Sequence, residues 1–189
     1  MRQYKHRWGR CAVIVALMLA IAISVTRPVN AGVTTPIAEY DLKAALVYRT
    51  AKFIEWPDSA FAGPNSAFVV CVVGDNTAAA AAFRTLETKA IGTRPVSVRR
   101  ITGDMLDLRQ CHTAYFPSDA ADQIDYAADK LQGAPVLTVG DTEKFVQRGG
   151  MLSLVMKSER VNFLVHLSAA KRARLNVSSQ LLELATVIE

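Results

Sequence analysis

Ala67-Phe68-Val69-Val70-Cys71-Val72-Val73 runs straight into Gly74-Asp75-Asn76-Thr77. Seven apolar residues, four of them valine, lie between Pro64-Asn65-Ser66 and a glycine turn. That pattern reads as a strand buried on both faces. The alanine-rich stretch that follows reads as a helix to about Lys89, with Thr77 placed to cap it. A buried strand turning directly into a helix is the repeating unit of an α/β domain.

The same reading extends in both directions. Upstream, Tyr40, Ala44, Val47, Ala51 and Ile54 recur at steps of four and three, which predicts a helix over about 39–55. Trp56-Pro57 ends it, because the residue before proline avoids the α region. Gly32 to Ala38 reads as a mobile lead. Downstream, Arg94–Ile101, Thr113–Phe116 and Val136–Val139 read as strands, with a helix over 119–131 ended by Gly133 and a short one over 142–147. Met151–Met156 and Val161–Leu167 flank the polar turn Lys157-Ser158-Glu159-Arg160 and predict a hairpin. Ser168 is placed to cap a short helix to Leu175. Ser178 or Ser179 begins a last helix whose face carries Leu181, Leu184, Ala185 and Ile188. The expected fold is α/β: a layered sandwich with a mixed, mostly parallel central sheet and helices on both faces.

The first 31 residues have a different character. Arg2, Lys5, Arg7 and Arg10 precede a run of about 15 apolar residues, Cys11–Val25, broken only by Ser24. Pro28 and then Val29-Asn30-Ala31 give a helix breaker and a small-residue cleavage pattern. The run falls short of the roughly 20 residues that a spanning helix needs. A cleavable signal peptide over 1–31 is therefore expected, with no membrane anchor after processing and one domain over 32–189. Five of the 22 Lys and Arg lie in that leader, with no Asp or Glu, so the remaining basic residues match the 17 acidic ones. The high pI belongs to the leader and is no footprint for nucleic acid.

Two cysteines remain beyond the leader, Cys71 and Cys111. In an exported protein an even pair is most simply a disulfide, the alternative being two separate buried thiols. Metal-ligand spacings such as H-E-x-x-H and C-x-x-C are missing from the sequence, as are G-x-S-x-G and both glycine-rich phosphate cradles. His112 and His166 do not fall at ligand spacing, and a lone histidine in an apolar strand is more often hydrogen-bonded structure. Asp104, Asp107 and Arg109 read as solvated charges. No nucleophile, base and oxyanion set assembles, so a binding or regulatory protein is favoured over an enzyme, with no cofactor and no metal. Gly74, Asp75, Asn76 and Asp141 follow strands and open helices. They are the candidate ligand loop, since open sheets bind ligands at that edge. Tyr48, Trp56, Phe61 and Leu182 are the candidate partner-binding anchors. Tyr48 is the one expected to be exposed, because it lies off the apolar stripe.

Glu39-Tyr40-Asp41-Leu42-Lys43-Ala44-Ala45-Leu46-Val47-Tyr48 with Ala51-Lys52-Phe53-Ile54-Glu55-Trp56-Pro57 resembles the opening helix of the YfiR family of YfiR/HmsC-like periplasmic proteins. Val70–Asp75 is similar too, as are Leu137-Thr138-Val139-Gly140-Asp141 with Phe145 and Gly149-Gly150-Met151, and the ending Leu175–Ala185. The ordered set is specific where no single element is. The resemblance implies a periplasmic repressor that binds the periplasmic sensor region of an inner-membrane diguanylate cyclase, lowering cyclic di-GMP and biofilm formation. It carries the family's disulfide onto Cys71 and Cys111. Two features depart from the pattern: the second cysteine pair that some members carry around the Gly-Gly turn is missing, and Phe163-Leu164-Val165-His166 stands where Phe-Glu-Ile-Asn is usual. The competing readings are a periplasmic small-ligand-binding module and an enzyme. The partners implied are the cyclase and, in a homodimer, a second copy of this chain, with no nucleic acid.

Overall fold

The computed structural model describes residues 36–157 and 160–188. The expected leader, the Ser158-Glu159 turn and most of the expected mobile lead lie outside them. In chain order the elements are α1 (Pro36–Ala51), β1 (Ile54–Glu55), β2 (Phe68–Val73), α2 (Thr77–Arg84), β3 (Ala90–Ile91), β4 (Arg94–Ile101) and β5 (Thr113–Phe116). Then come α3 (Ile124–Lys130), β6 (Leu137–Gly140), α4 (Glu143–Gln147), β7 (Leu152–Lys157), β8 (Arg160–His166), α5 (Leu167–Arg172), β9 (Asn176–Val177), α6 (Ser179–Glu183) and β10 (Ala185–Ile188).

All six residues of β2 are buried. Side chains alternate along a strand, so β2 feeds two cores. Phe68, Val70 and Val72 point into one core with α1 (Ala44, Val47, Ala51), α2 (Ala79, Phe83) and α5 (Ala169, Ala170). Val69, Cys71 and Val73 point into the other with Met105, Leu108, Ile124, Ala127 and Phe145. Helices therefore cover both faces of the sheet, as the continuous valine run requires.

The eight strands lie in the order β10-β8-β7-β6-β5-β2-β4-β3. β4, β2, β5, β6 and β7 are mutually parallel. β8 is antiparallel to β7 and forms the expected hairpin, and β10 runs parallel to β8. From β2 the chain moves outward to β4 and then returns past β2 to β5. The order reverses there, which opens a crevice at the carboxyl ends of β2 and β5, where open α/β sheets bind ligands. Cys71 and Cys111 are joined in a disulfide, with Cα atoms 5.9 Å apart. It ties β2 to the residues that lead into β5.

Six local expectations are corrected. α1 ends at Ala51 rather than Glu55, because Ile54 and Glu55 pair antiparallel with Val177 and Asn176. It also begins at Pro36, so the expected mobile lead loses its last three residues to helix. α2 is capped by Asn76, whose side chain accepts from the Ala79 amide at 2.8 Å, with Thr77 as first residue. The helix expected over 119–131 is a 3-10 turn, Ser118–Gln123, followed by α3. α5 is capped by His166, not Ser168, and ends at Arg172. The last helix has five residues, and Ala185–Ile188 is a strand. Thr186, Val187 and Ile188 are β-branched and complete the edge of β8, so sheet pairing wins over helical periodicity. Leu184, assigned to the apolar face, is 70% exposed.

Candidate functional site

α1 packs on one face of the sheet, and its first turns reach the carboxyl edge, where Tyr40 and Lys43 enter the crevice. Asp141, just after β6, is almost fully shielded, and its Oδ2 accepts from Lys43 Nζ at 2.7 Å and from the Tyr115 hydroxyl at 2.9 Å. Lys43 also pairs with Glu39, one turn back on α1. Asp141 Oδ1 is buried and has no hydrogen-bond partner among the described residues. Beside this pair, Asn76 Nδ2 donates to the Tyr40 hydroxyl at 2.8 Å and to Asp119 at 3.2 Å. Five segments are thus joined by polar groups: α1, the turns after β2, β5 and β6, and β5 itself.

The electrostatics follow from burial. Desolvation opposes the charge on Lys43, but hydrogen bonds to Asp141 and Glu39 outweigh it and hold the ammonium above its ordinary range. Desolvation, then the neighbouring Asp141 carboxylate, push the Tyr115 hydroxyl far upward, so it stays protonated and donates. Tyr40 is raised as well, chiefly by burial.

The candidate ligand-loop residues are brought to this one edge. Gly74 adopts φ +89, where its amide donates to Ile101 O at 2.9 Å, and a Cβ there would stand 3.0 Å from Ala120 Cβ. Asn76 and Asp141 are engaged in the contacts above, and Asp75 alone of the four is exposed. Lys43, Tyr40 and Tyr115 close the crevice. The sequence reading did not select them, although Lys43 is one residue from the apolar stripe of α1 and its burial is legible from that phase. A separate cavity of about 470 Å³, lined by Asp129, Leu131, Thr138, Met151 and Arg172, lies between the end of α3 and α5. None of the loop residues lines it.

The four candidate anchors are half-buried and pack against the core of α1 and α2. Tyr48, expected to be exposed, is half-buried, because its hydroxyl donates to Ala90 O at 2.9 Å and Lys52 sits over its ring. Trp56 stands edge-on to Phe68, Phe61 stacks on His112, and Leu182 packs from α6 against the core. Leu42 on α1, Phe53 just after it and Leu184 after α6 are apolar side chains that face solvent. Leu42 lies opposite the stripe of α1, a position that its helical phase announces.

Among the described residues no group of three His, Cys, Asp or Glu side chains is placed to hold a metal, and no helix is long and apolar enough to cross a membrane. A family model described as YfiR/HmsC-like matches residues 40–186. Comparison with curated protein sequences gives no match. The crystal structure of a conserved domain protein from Vibrio cholerae O1 biovar eltor str. N16961 superposes with a TM-score of 0.57 at 11% identity. The match covers 79% of this chain and 60% of that one, and at this identity it speaks for the fold alone.

Proposed function

The chain belongs to the YfiR/HmsC-like family, and from that membership we propose that it is a non-enzymatic periplasmic regulator of a cyclic di-GMP-producing enzyme. In this reading residues 1–31 export the protein and are removed, and residues 32–189 work as one domain. The mature protein represses an inner-membrane diguanylate cyclase by binding its periplasmic sensor region, which lowers cyclic di-GMP and biofilm formation.

The family match over residues 40–186 is the observation that carries the proposal. The crevice agrees with it: Lys43 and Tyr115 both donate to Asp141, and Asn76 donates to the Tyr40 hydroxyl, so these polar groups tie the fold together. A regulator without chemistry acts by binding one state of its partner more tightly. Carrying a cyclase from almost wholly active to almost wholly inactive takes about 5.5 kcal/mol of preference. A few apolar or aromatic anchors supply that. Trp56, Phe61, Tyr48 and Leu182 are partly accessible, and Leu42 and Phe53, on α1 and just after it, face solvent.

Deleting the gene is expected to raise cellular cyclic di-GMP, and tagged protein is expected to retain the cyclase from solubilised membranes. Unchanged cyclic di-GMP and unchanged surface attachment after deletion would remove this reading. A small-ligand-binding module is the second reading, and the cavity between α3 and α5 favours it. A thermal-shift screen of small metabolites on the purified protein separates the two.

A further inference from the structure

At the edge of the sheet opposite Asp141, the chain from Trp56 to Ala67 crosses between β1 and β2 without one buried residue. Few contacts hold it. The Arg94 guanidinium donates to Gly63 O at 2.7 Å and to Ser66 O at 3.1 Å. Arg94 also donates to Ser66 Oγ at 2.9 Å and lies over the Phe61 ring, and the other contacts between strap and sheet gather around His112. Its Nδ1 accepts from the Val69 amide at 2.9 Å, so that nitrogen carries no proton. Nε2 must then carry the only one, and it donates to Ala60 O at 3.1 Å. The ring is stacked between Phe61 and Phe68, with centroids at 4.6 and 4.9 Å. Trp56 packs against Phe68 and donates its indole N–H to His112 O at 3.1 Å.

We propose that residues 56–67 form an acid-released strap, in which protonation of His112 unseats the segment and bares Trp56 and Phe61. A proton on Nδ1 would point at the Val69 N–H, two donors facing each other. The ring must turn or leave, and either movement breaks the bond to Ala60 and both stacks. The charges around it do nothing to retain an imidazolium. From β4, Arg94 lies 3.8 Å from the Phe61 ring and has the same sign. Asp58, the only charged residue of the strap, is exposed and makes no bond to the ring. The β2 and β5 sequences, Phe68–Val73 and Thr113–Phe116, contain no charged residue.

Burial, with Arg94 adding and the Ala60 bond opposing, holds His112 below its ordinary range. The strapped state therefore refuses a proton that the open state accepts. It is fully favoured above the ordinary value of 6.5 and loses ground as pH falls below it. The strap yields before the sheet does, because none of its residues is fully buried, whereas β2 and the approach to β5 are joined covalently beside His112.

The test is tryptophan emission of the purified protein between about pH 7.5 and about pH 5, where histidine titrates ahead of most carboxylates. A Trp56→Phe protein supplies the background. Emission from Trp56 is expected to move to longer wavelength as pH falls while far-ultraviolet circular dichroism stays constant. His112→Asn keeps an acceptor for the Val69 amide and cannot titrate, so it is expected to abolish the shift. A second measurement needs no variant of His112. The imidazole resonance of His112, distinguished from that of His166 with His166→Gln, is expected to titrate with the same midpoint as the emission. Constant Trp56 emission overturns the proposal. So does a shift that survives in His112→Asn, a loss of circular dichroism at the same midpoint, or an imidazole midpoint that differs from the emission midpoint.

Discussion

Lys43 Nζ lies 2.7 Å from Asp141 Oδ2 across 98 residues of sequence, and the two side chains are 7% and 1% exposed. A buried pair of this kind resists the loss of one member far more than the loss of both, because a single survivor is an uncompensated charge. Lys43→Met is expected to cost about 3–5 kcal/mol. Adding Asp141→Leu should restore at least half of that, the shortfall being the acceptor that Tyr115 loses. Urea denaturation of the two single variants and the double variant checks it. A double variant less stable than both singles would contradict this account.

The same cluster sets an alkaline limit. The folded protein keeps the Lys43 and Tyr115 protons where the unfolded chain, with ordinary values of 10.5 and 10.0, releases them. The unfolded state then binds fewer protons, so stability falls as pH rises beyond about 10, by about 1.4 kcal/mol per pH unit for each retained proton. Thermal unfolding between about pH 9 and about pH 11 should show this slope, and Tyr115→Phe should make it shallower.

The disulfide between Cys71 and Cys111 closes a separation of 40 residues. The chain-entropy relation gives about 4 kcal/mol for a loop of that length. Cys71→Ala with Cys111→Ala is expected to lower stability by about that amount, and reduction of the native protein should match it. Melting that is indifferent to reductant would show that the bond carries no load in the native state.

Phe145 is gripped between two glycines. A methyl group on Gly140 or on Gly150 would overlap its ring. Phe145 is 1% exposed and has no room to retreat. Gly140→Ala is expected to cost about 1–3 kcal/mol, the range for overpacking a filled site. Combined with Phe145→Leu, the loss should be smaller than the sum of the two singles by at least about 0.5 kcal/mol. Strict additivity in denaturant midpoints would exclude the clash.

Most of the sheet was legible beforehand. Arg94–Ile101 and Thr113–Phe116 have the bounds that their sequence suggests. Buried strands are continuous apolar runs between turn residues, and both signals are local. The ends of helices were harder, because a cap is settled by which neighbour reaches the amides. Asn76 serves instead of Thr77 because its backbone is still extended, whereas Thr77 is already the first helical residue. Ile54-Glu55 could not be read as a strand, since its partner Asn176-Val177 lies at the other end of the chain. The loops Gly74–Asn76 and Asp141 were read correctly as sharing an edge. Their closure by Lys43 and Tyr115 was not, for that depends on α1 lying over the sheet. Tyr48 was misjudged for a like reason: the two-residue strand β3, which covers it, has no pattern of its own.

Because neighbouring residues of β2 face opposite cores, a slip of one position against β5 would carry Cys71 to the side of α1, away from Cys111. The cystine is therefore a register pin as well as a brace: once it is closed, β2 cannot slide by one position, since that would turn the two sulfurs to opposite faces.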